Sequence, residues 1–179
     1  MDKDNVWFTY KARIHAYHRL EQMDIHSQLL LVWYAIIGAI LAVVAVRHPD
    51  VLGDDTDVFG AVLSITLLGV SLSIANRDFR GRAINMRKNY LALQCLYNEL
   101  KNKTEITQND TLKYDELLNE VENHNEMDDK IFRVKNYIRL TSRKPEWTEH
   151  IQVYIHVIIK YIVLILLYLA PLIVAWFLR

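Results

Sequence analysis

The chain has 179 residues, with 21 basic and 21 acidic side chains, and so carries no net charge at pH 7 when histidine is neutral. That balance excludes a globally basic nucleic-acid binder, and the length allows one domain, or one membrane unit plus a small soluble part. The single cysteine, Cys95, excludes an internal disulfide and a cysteine-only zinc site.

A mean hydropathy of only +0.04 hides the strongest signal. Three runs, Leu29–Val46, Val58–Ala75 and Tyr161–Leu178, are each about 18 residues long and free of charge, close to the minimum for an α-helix to cross a bilayer. A soluble domain of this size cannot hide three helices that are apolar on every face. The polar stretch from Asn76 to His150 dilutes the average. The first run starts too late for a secretory signal, lacks a cleavage-type end and is followed by a second run, so it reads as a retained span.

Four segments follow: 1–28, 29–75, 76–150 and 151–179. In the first, Val6 to Gln28 reads as an amphipathic helix. Trp7, Tyr10, Ile14, Tyr17 and Leu20 recur at three- and four-residue steps, with Lys11, Arg13, Arg19 and Glu21 largely elsewhere. Its aromatics suit a helix lying near a membrane surface, and equally a packed cytosolic helix. It runs without a breaker into the first span.

The second segment is a two-span hairpin. Small residues mark one face of each span: Ala35, Gly38, Ala42 and Ala45 in the first, Gly60, Ser64, Ser71 and Ala75 in the second. Such stripes let membrane helices approach closely, because lipid offers no hydrophobic drive for association. Thr66 and Ser73 form another hydroxyl face, facing a neighbouring subunit or an aqueous path. The blander reading is that these hydroxyls bond their own backbone. Gly38, Ala42, Gly60, Ser64, Ser71 and Ser73 are the expected packing or pore face. Pro49 and Gly53 lie in the short connecting loop.

In the third segment a helix is expected to continue from Asn76 to Lys101, with Met86, Tyr90, Leu93, Tyr97 and Leu100 as a seam. A turn over Asn102–Asn109, a helix around Asp110–Asn123 and a third with Met127, Ile131, Val134 and Ile138 complete a cytosolic bundle. Charge comes in blocks. Residues 77–103 are mainly basic, 105–129 hold nine acids and one lysine, and 130–144 hold six cations and no acid. Arg77, Arg80, Arg82, Lys130, Arg133, Lys135 and Arg139 are the expected lipid- or partner-docking residues. The fourth segment is the third span. Lys160 sits at its inner edge, Trp176 near its outer interface, and Pro171 frees a carbonyl one turn earlier and kinks the helix.

Orientation follows the basic residues. The loop Arg47–Asp57 carries four aspartates against one arginine, whereas Arg77, Arg80, Arg82, Arg87 and Lys88 follow the second run. The N-terminus and residues 76–150 are therefore expected in the cytosol, and the C-terminus, with only Arg179 beyond the third run, outside.

Chemistry-bearing motifs are sparse. His15, His18 and His26 are the only clustered ligand types, and a metal site needs a tighter set with supporting partners. No nucleophile–base pair, glycine-rich phosphate loop or HExxH occurs, and no ionisable group lies inside a run. The chain therefore reads as a non-enzyme, with no catalytic, cofactor or metal residues and no cofactor. No nucleic-acid fold signature supports direct nucleic-acid binding.

One resemblance organises these features. A "KARIHAYHRL" helix leads into two closely spaced spans, and the second ends in "SLSIANRDFRGRAINMRKNYLALQCLYNEL". Over roughly residues 5–140 this layout resembles the SLATT family, the SMODS and SLOG-associating two-transmembrane effector domains, with the reverse-transcriptase-associated subfamily looking nearest. The third span departs from the minimal two-span pattern. The resemblance implies an all-α membrane protein of the bacterial inner membrane: a homo-oligomeric antiphage effector that breaches the membrane when infection is sensed. It also implies a partner enzyme encoded nearby, a reverse transcriptase or a nucleotidyltransferase. The competing expectation is a membrane scaffold that restrains such a partner without forming a pore.

Overall fold

A computed structural model describes residues 2–177. Its helices are α1 (Lys3–Arg47), α2 (Thr56–Arg77), α3 (Phe79–Lys101), α4 (Gln108–Asn119), α5 (Glu126–Lys135) and α6 (Trp147–Phe177), with a 3-10 turn at Tyr137–Arg139. The fold is all-α. Stretches within Lys3–Arg47, Thr56–Lys101 and Trp147–Val174 are long and apolar enough to cross a membrane, and none of their apolar windows is buried. The expected end of the third span at Leu178, and its outer flank at Arg179, lie outside the described residues. The chain divides into two units, Met1–Gln22 with Phe79–His156, and Met23–Asp78 with Val157–Arg179.

The first unit is a polar helical bundle whose core forms around the start of α1. That helix has two working seams. Val6, Tyr10, Arg13, Ala16 and Leu20 are buried at steps of four, three, three and four. Val6 and Tyr10 pack with Leu93, Leu96 and Leu100 of α3 and Tyr114 of α4. Ala16 and Leu20 pack with Phe79, Ala83 and Met86. The second seam is Phe8, Ala12, His15 and Arg19, at steps of four, three and four, and it serves α5. Phe8 clusters with Phe132 and Leu140, the His15 ring lies 6.0 Å from Phe132, and Arg19 grips the Asp128 carboxylate at 3.1 Å. Of the two open readings of this segment, the structure has the packed helix. It also corrects the sequence-level face. Arg13 is fully buried, because a helix enclosed on two sides must use positions that a single amphipathic stripe assigns to solvent.

Three local departures have physical causes. The helix expected to run unbroken from Asn76 to Lys101 stops at Asp78, which adopts left-handed backbone (φ 41°, ψ 51°), a conformation that aspartate tolerates better than most residues. The fourth helix starts at Gln108 rather than Asp110. Thr107 Oγ1 accepts the Asp110 N–H at 3.3 Å, and Asp110 accepts the Thr107 N–H at 3.0 Å. This reciprocal capping box satisfies donors that the first turn leaves open. The third seam keeps Val134 but takes Phe132 in place of Ile131 and loses Ile138. Phe132 and Val134 are buried while Ile138 is 81% exposed, because α5 ends at Lys135 and the tighter turn breaks the helical phase.

Burial, with Lys135 and His18 nearby, pushes the His15 imidazole down to about 4 against the opposing pull of Asp128. Burial also lowers His124. Both groups bind their proton more readily when unfolded. The bundle should therefore lose stability as pH falls from 6.5 towards 4, as the unfolded chain takes up protons that the folded chain refuses. His15→Gln should flatten that slope in unfolding experiments at pH 7 and pH 4.5. An unchanged slope would remove His15 from the account.

Candidate functional site in the apolar helices

The second unit is built from the apolar part of α1, all of α2 and the apolar part of α6. On α2, Leu63, Leu67, Val70 and Ile74 step by four, three and four. With Leu30, Leu31, Tyr34 and Leu167 they line an apolar cleft of about 360 Å³. A second cleft of about 400 Å³ lies between Ile37, Leu41 and Val44 of α1, Phe59 and Leu63 of α2, and Ala170, Pro171 and Val174 of α6.

The predicted small-residue face divides. Gly38 meets α2 directly: a Cβ there would lie 3.7 Å from Leu63 Cδ2. The α1–α2 hairpin thus closes as glycine against leucine, not small against small. Gly60 has nothing within 4 Å of its Cβ position, and Ala42, Ser64, Ser71 and Ser73 are exposed. At about 100° per residue, Gly60, Ser64 and Ser71 lie 60–100° around the helix from Leu63, and Ser73 lies on the opposite flank with Thr66. Ser64 donates to the Gly60 carbonyl at 2.9 Å, so this hydroxyl bonds its own backbone and is already satisfied in an apolar setting.

A polar contact that sequence reasoning missed joins α1 to α6. Pro171 has no N–H, so the Leu167 carbonyl one turn earlier loses its helical donor. Tyr34 Oη donates to that carbonyl at 2.9 Å, and Trp33 Nε1 donates to the next one, Tyr168 O, at 3.0 Å. In hydrocarbon a freed carbonyl has no water to turn to, and a neighbouring helix must satisfy it. The signal was available: a proline in an apolar run calls for a donor, and Trp33 and Tyr34 are adjacent donors in another run.

The basic candidates also divide. Arg82 is held by Glu122 at 2.7 Å, Lys130 by Glu126 at 2.6 Å, and Arg133 by Asp129 at 2.8 Å. Arg133 also donates to Glu149 at 2.7 Å. These three are structural ties of the bundle. Arg77, Arg80, Lys135 and Arg139 are exposed and form no ion pair among the described residues. The histidines do not converge: His15 lies on Phe132, His18 is 3.4 Å from Glu21, and the His26 ring is 6.5 Å from Tyr168. Among the described residues no group of three or more His, Cys, Asp or Glu side chains is placed to hold a metal ion.

Residues 2–178 match the family described as SMODS and SLOG-associating 2TM effector domain family 5. The chain belongs to that family. Among curated proteins and solved structures nothing matches it. As a member of SLATT family 5 it is a membrane effector domain. The match runs well beyond the span expected from sequence and on through α6. The third apolar helix therefore lies inside the family's extent, although the description counts two spans.

Proposed function

We propose that this chain is the membrane effector of a bacterial antiphage defence system. It oligomerises in the inner membrane with its N-terminus in the cytosol and its C-terminus in the periplasm, and on activation it permeabilises or depolarises that membrane without catalysing a reaction. Family membership supports the effector role. The observation that carries the assembly is the unused flank of α2, where Gly60 has open space and Ser64 and Ser71 are exposed. Small residues that stay exposed on a membrane helix among the described residues suit a neighbouring helix. In such an assembly the hydroxyl flank, rather than the apolar clefts of one chain, borders the conducting path.

The test is membrane potential, read with a voltage-sensitive dye after the chain is induced in bacteria together with its neighbouring genes and challenged with phage. Depolarisation should precede growth arrest. Gly60→Leu and Ser64→Leu should each abolish it while leaving insertion intact, and unchanged depolarisation in both variants would refute the assigned flank. A second reading is a scaffold that anchors a partner enzyme, such as a reverse transcriptase or a nucleotidyltransferase, without forming a pore. Exposed Lys135 and Arg139 favour it, and it predicts a stable complex with no ion flux.

A further inference from the structure

Internal pairing consumes most of the charge blocks and leaves two patches of opposite sign. Of the six cations at 130–144, Lys130 and Arg133 are held in ion pairs, and Arg143 bonds Asn5 and lies over the Phe8 ring at 4.8 Å. Lys135, Arg139 and Lys144 are left among the described residues. Of the nine acids at 105–129, six are bonded, to Lys103, Asn89, Arg82, Lys130, Arg19 and Arg133. Glu105, Asp115 and Glu116 are left among the described residues.

Each remainder has exposed apolar side chains near it in sequence. Next to Arg139 in the chain is Ile138, 81% exposed, and three residues after Lys144, beyond the exposed Glu146, comes Trp147, 77% exposed. The segment that carries them is folded back on the bundle. The Tyr137 ring meets His150 edge-on at 5.5 Å, Ser142 donates to Asp4 at 3.0 Å, and Leu140 is buried with Phe8. It is therefore a fixed surface with the composition of an interface centre, where aromatic residues and arginine concentrate binding energy. On α4, Leu112 is 55% exposed, and Asp115 and Glu116 share its face three and four residues on.

We propose that the two patches bind each other between copies. Leu112 of one chain seats against Ile138 and Trp147 of the next, and Asp115 and Glu116 face Arg139 and Lys144. This deepens the assembly proposed above and rests on it. Charge complementarity selects the occupant: a second copy supplies the acidic, leucine-bearing face, which an anionic lipid surface does not. We take the contact as head-to-tail, each copy using its acidic face on one neighbour and its basic face on the other, rather than as a reciprocal two-fold pair, which would stop at dimers. Copies inserted in the same direction share the membrane normal as their rotation axis, and repetition of the contact then closes a ring.

The test uses the full chain in isolated membranes, with Cys95→Ser to remove the native thiol. Leu112→Cys and Ile138→Cys together should give a ladder of dimers, trimers and higher species on oxidation, and either alone should give none. Arg139→Glu with Lys144→Glu should abolish the ladder, and adding Asp115→Lys and Glu116→Lys should restore it. The contact is overturned by an absent ladder, by a dimer from one single-cysteine chain, or by a ladder indifferent to charge reversal. Dye measurements on the same cells separate the two proposals. A ladder without depolarisation keeps the contact and overturns the pore; depolarisation without a ladder overturns the contact alone.

Discussion

Replacing Arg13 with Met should cost the bundle about 1–3 kcal/mol, the range for leaving a buried hydrogen-bond acceptor without its donor. The side chain is fully buried. Its guanidinium donates to the Leu117 carbonyl at 3.0 Å, to the Leu118 carbonyl at 3.1 Å and to Asn89 Oδ1. Leu117 and Leu118 lie in the last turn of α4 (Gln108–Asn119), where carbonyls have no partner within the helix and the helix dipole favours a cation. Asn89 donates to the same Leu117 carbonyl at 2.7 Å and to Glu120 at 2.9 Å. Burial pulls the Arg13 pKa down, with Tyr114 and Glu120 opposing, yet arginine keeps its proton.

A methionine fills the space but leaves the Leu118 carbonyl, a main-chain acceptor that no substitution can make apolar, without the donor that Arg13 supplied, while Leu117 keeps Asn89. That is why the neutral outcome known for some buried ion pairs is not expected here. Arg13→Lys should recover only part of the loss, because one ammonium cannot fork across two carbonyls and an amide. Hydrogen exchange of α4 amides and chemical unfolding in detergent would both read the effect. Wild-type protection of α4 in Arg13→Met would show that Arg13 does not cap that helix.

The sequence displayed the apolar helices plainly because their signal is a length of uncharged chain, and lipid imposes that length on every spanning helix. It also displayed one seam of α1 and the α3 seam. It could not display Arg13 as a core residue, because an arginine at a periodic position reads as solvent-facing until the carbonyls it caps are known, and these come from a helix about a hundred residues away. Thr107–Asp110 was legible as a capping pair and would have set the start of α4 two residues earlier. The left-handed Asp78 had no such mark, since aspartate occupies ordinary helix as well. Among the candidate site residues the types were legible and the phase was not. Gly38 and Gly60 carry the same signal in sequence, yet one is used inside the chain and the other is left open, which depends on how α1, α2 and α6 rotate against one another.

The clasp between α1 and α6 gives the second large effect, and a mutant cycle isolates it. Tyr34→Phe should destabilise the apolar helices by about 1–2 kcal/mol, near the upper end for hydrogen bonds between membrane helices. It removes the donor that Leu167 O receives at 2.9 Å and changes little in volume. Pro171→Ala returns a helical N–H to that carbonyl. In that background Tyr34→Phe should cost almost nothing, so the coupling between the two positions should approach the whole single-mutant loss. Trp33→Phe adds the loss of the bond to Tyr168 O, at 3.0 Å, and the Trp33→Phe/Tyr34→Phe pair should exceed either single change. Unfolding of the detergent-solubilised chain by SDS titration would measure all of these variants. An equal cost for Tyr34→Phe with and without Pro171 would mean that tyrosine and proline act independently. Coupling as expected would mean that α1 satisfies the carbonyl that the proline frees, so that loss of the tyrosine contact leaves α6 with an open carbonyl at Leu167.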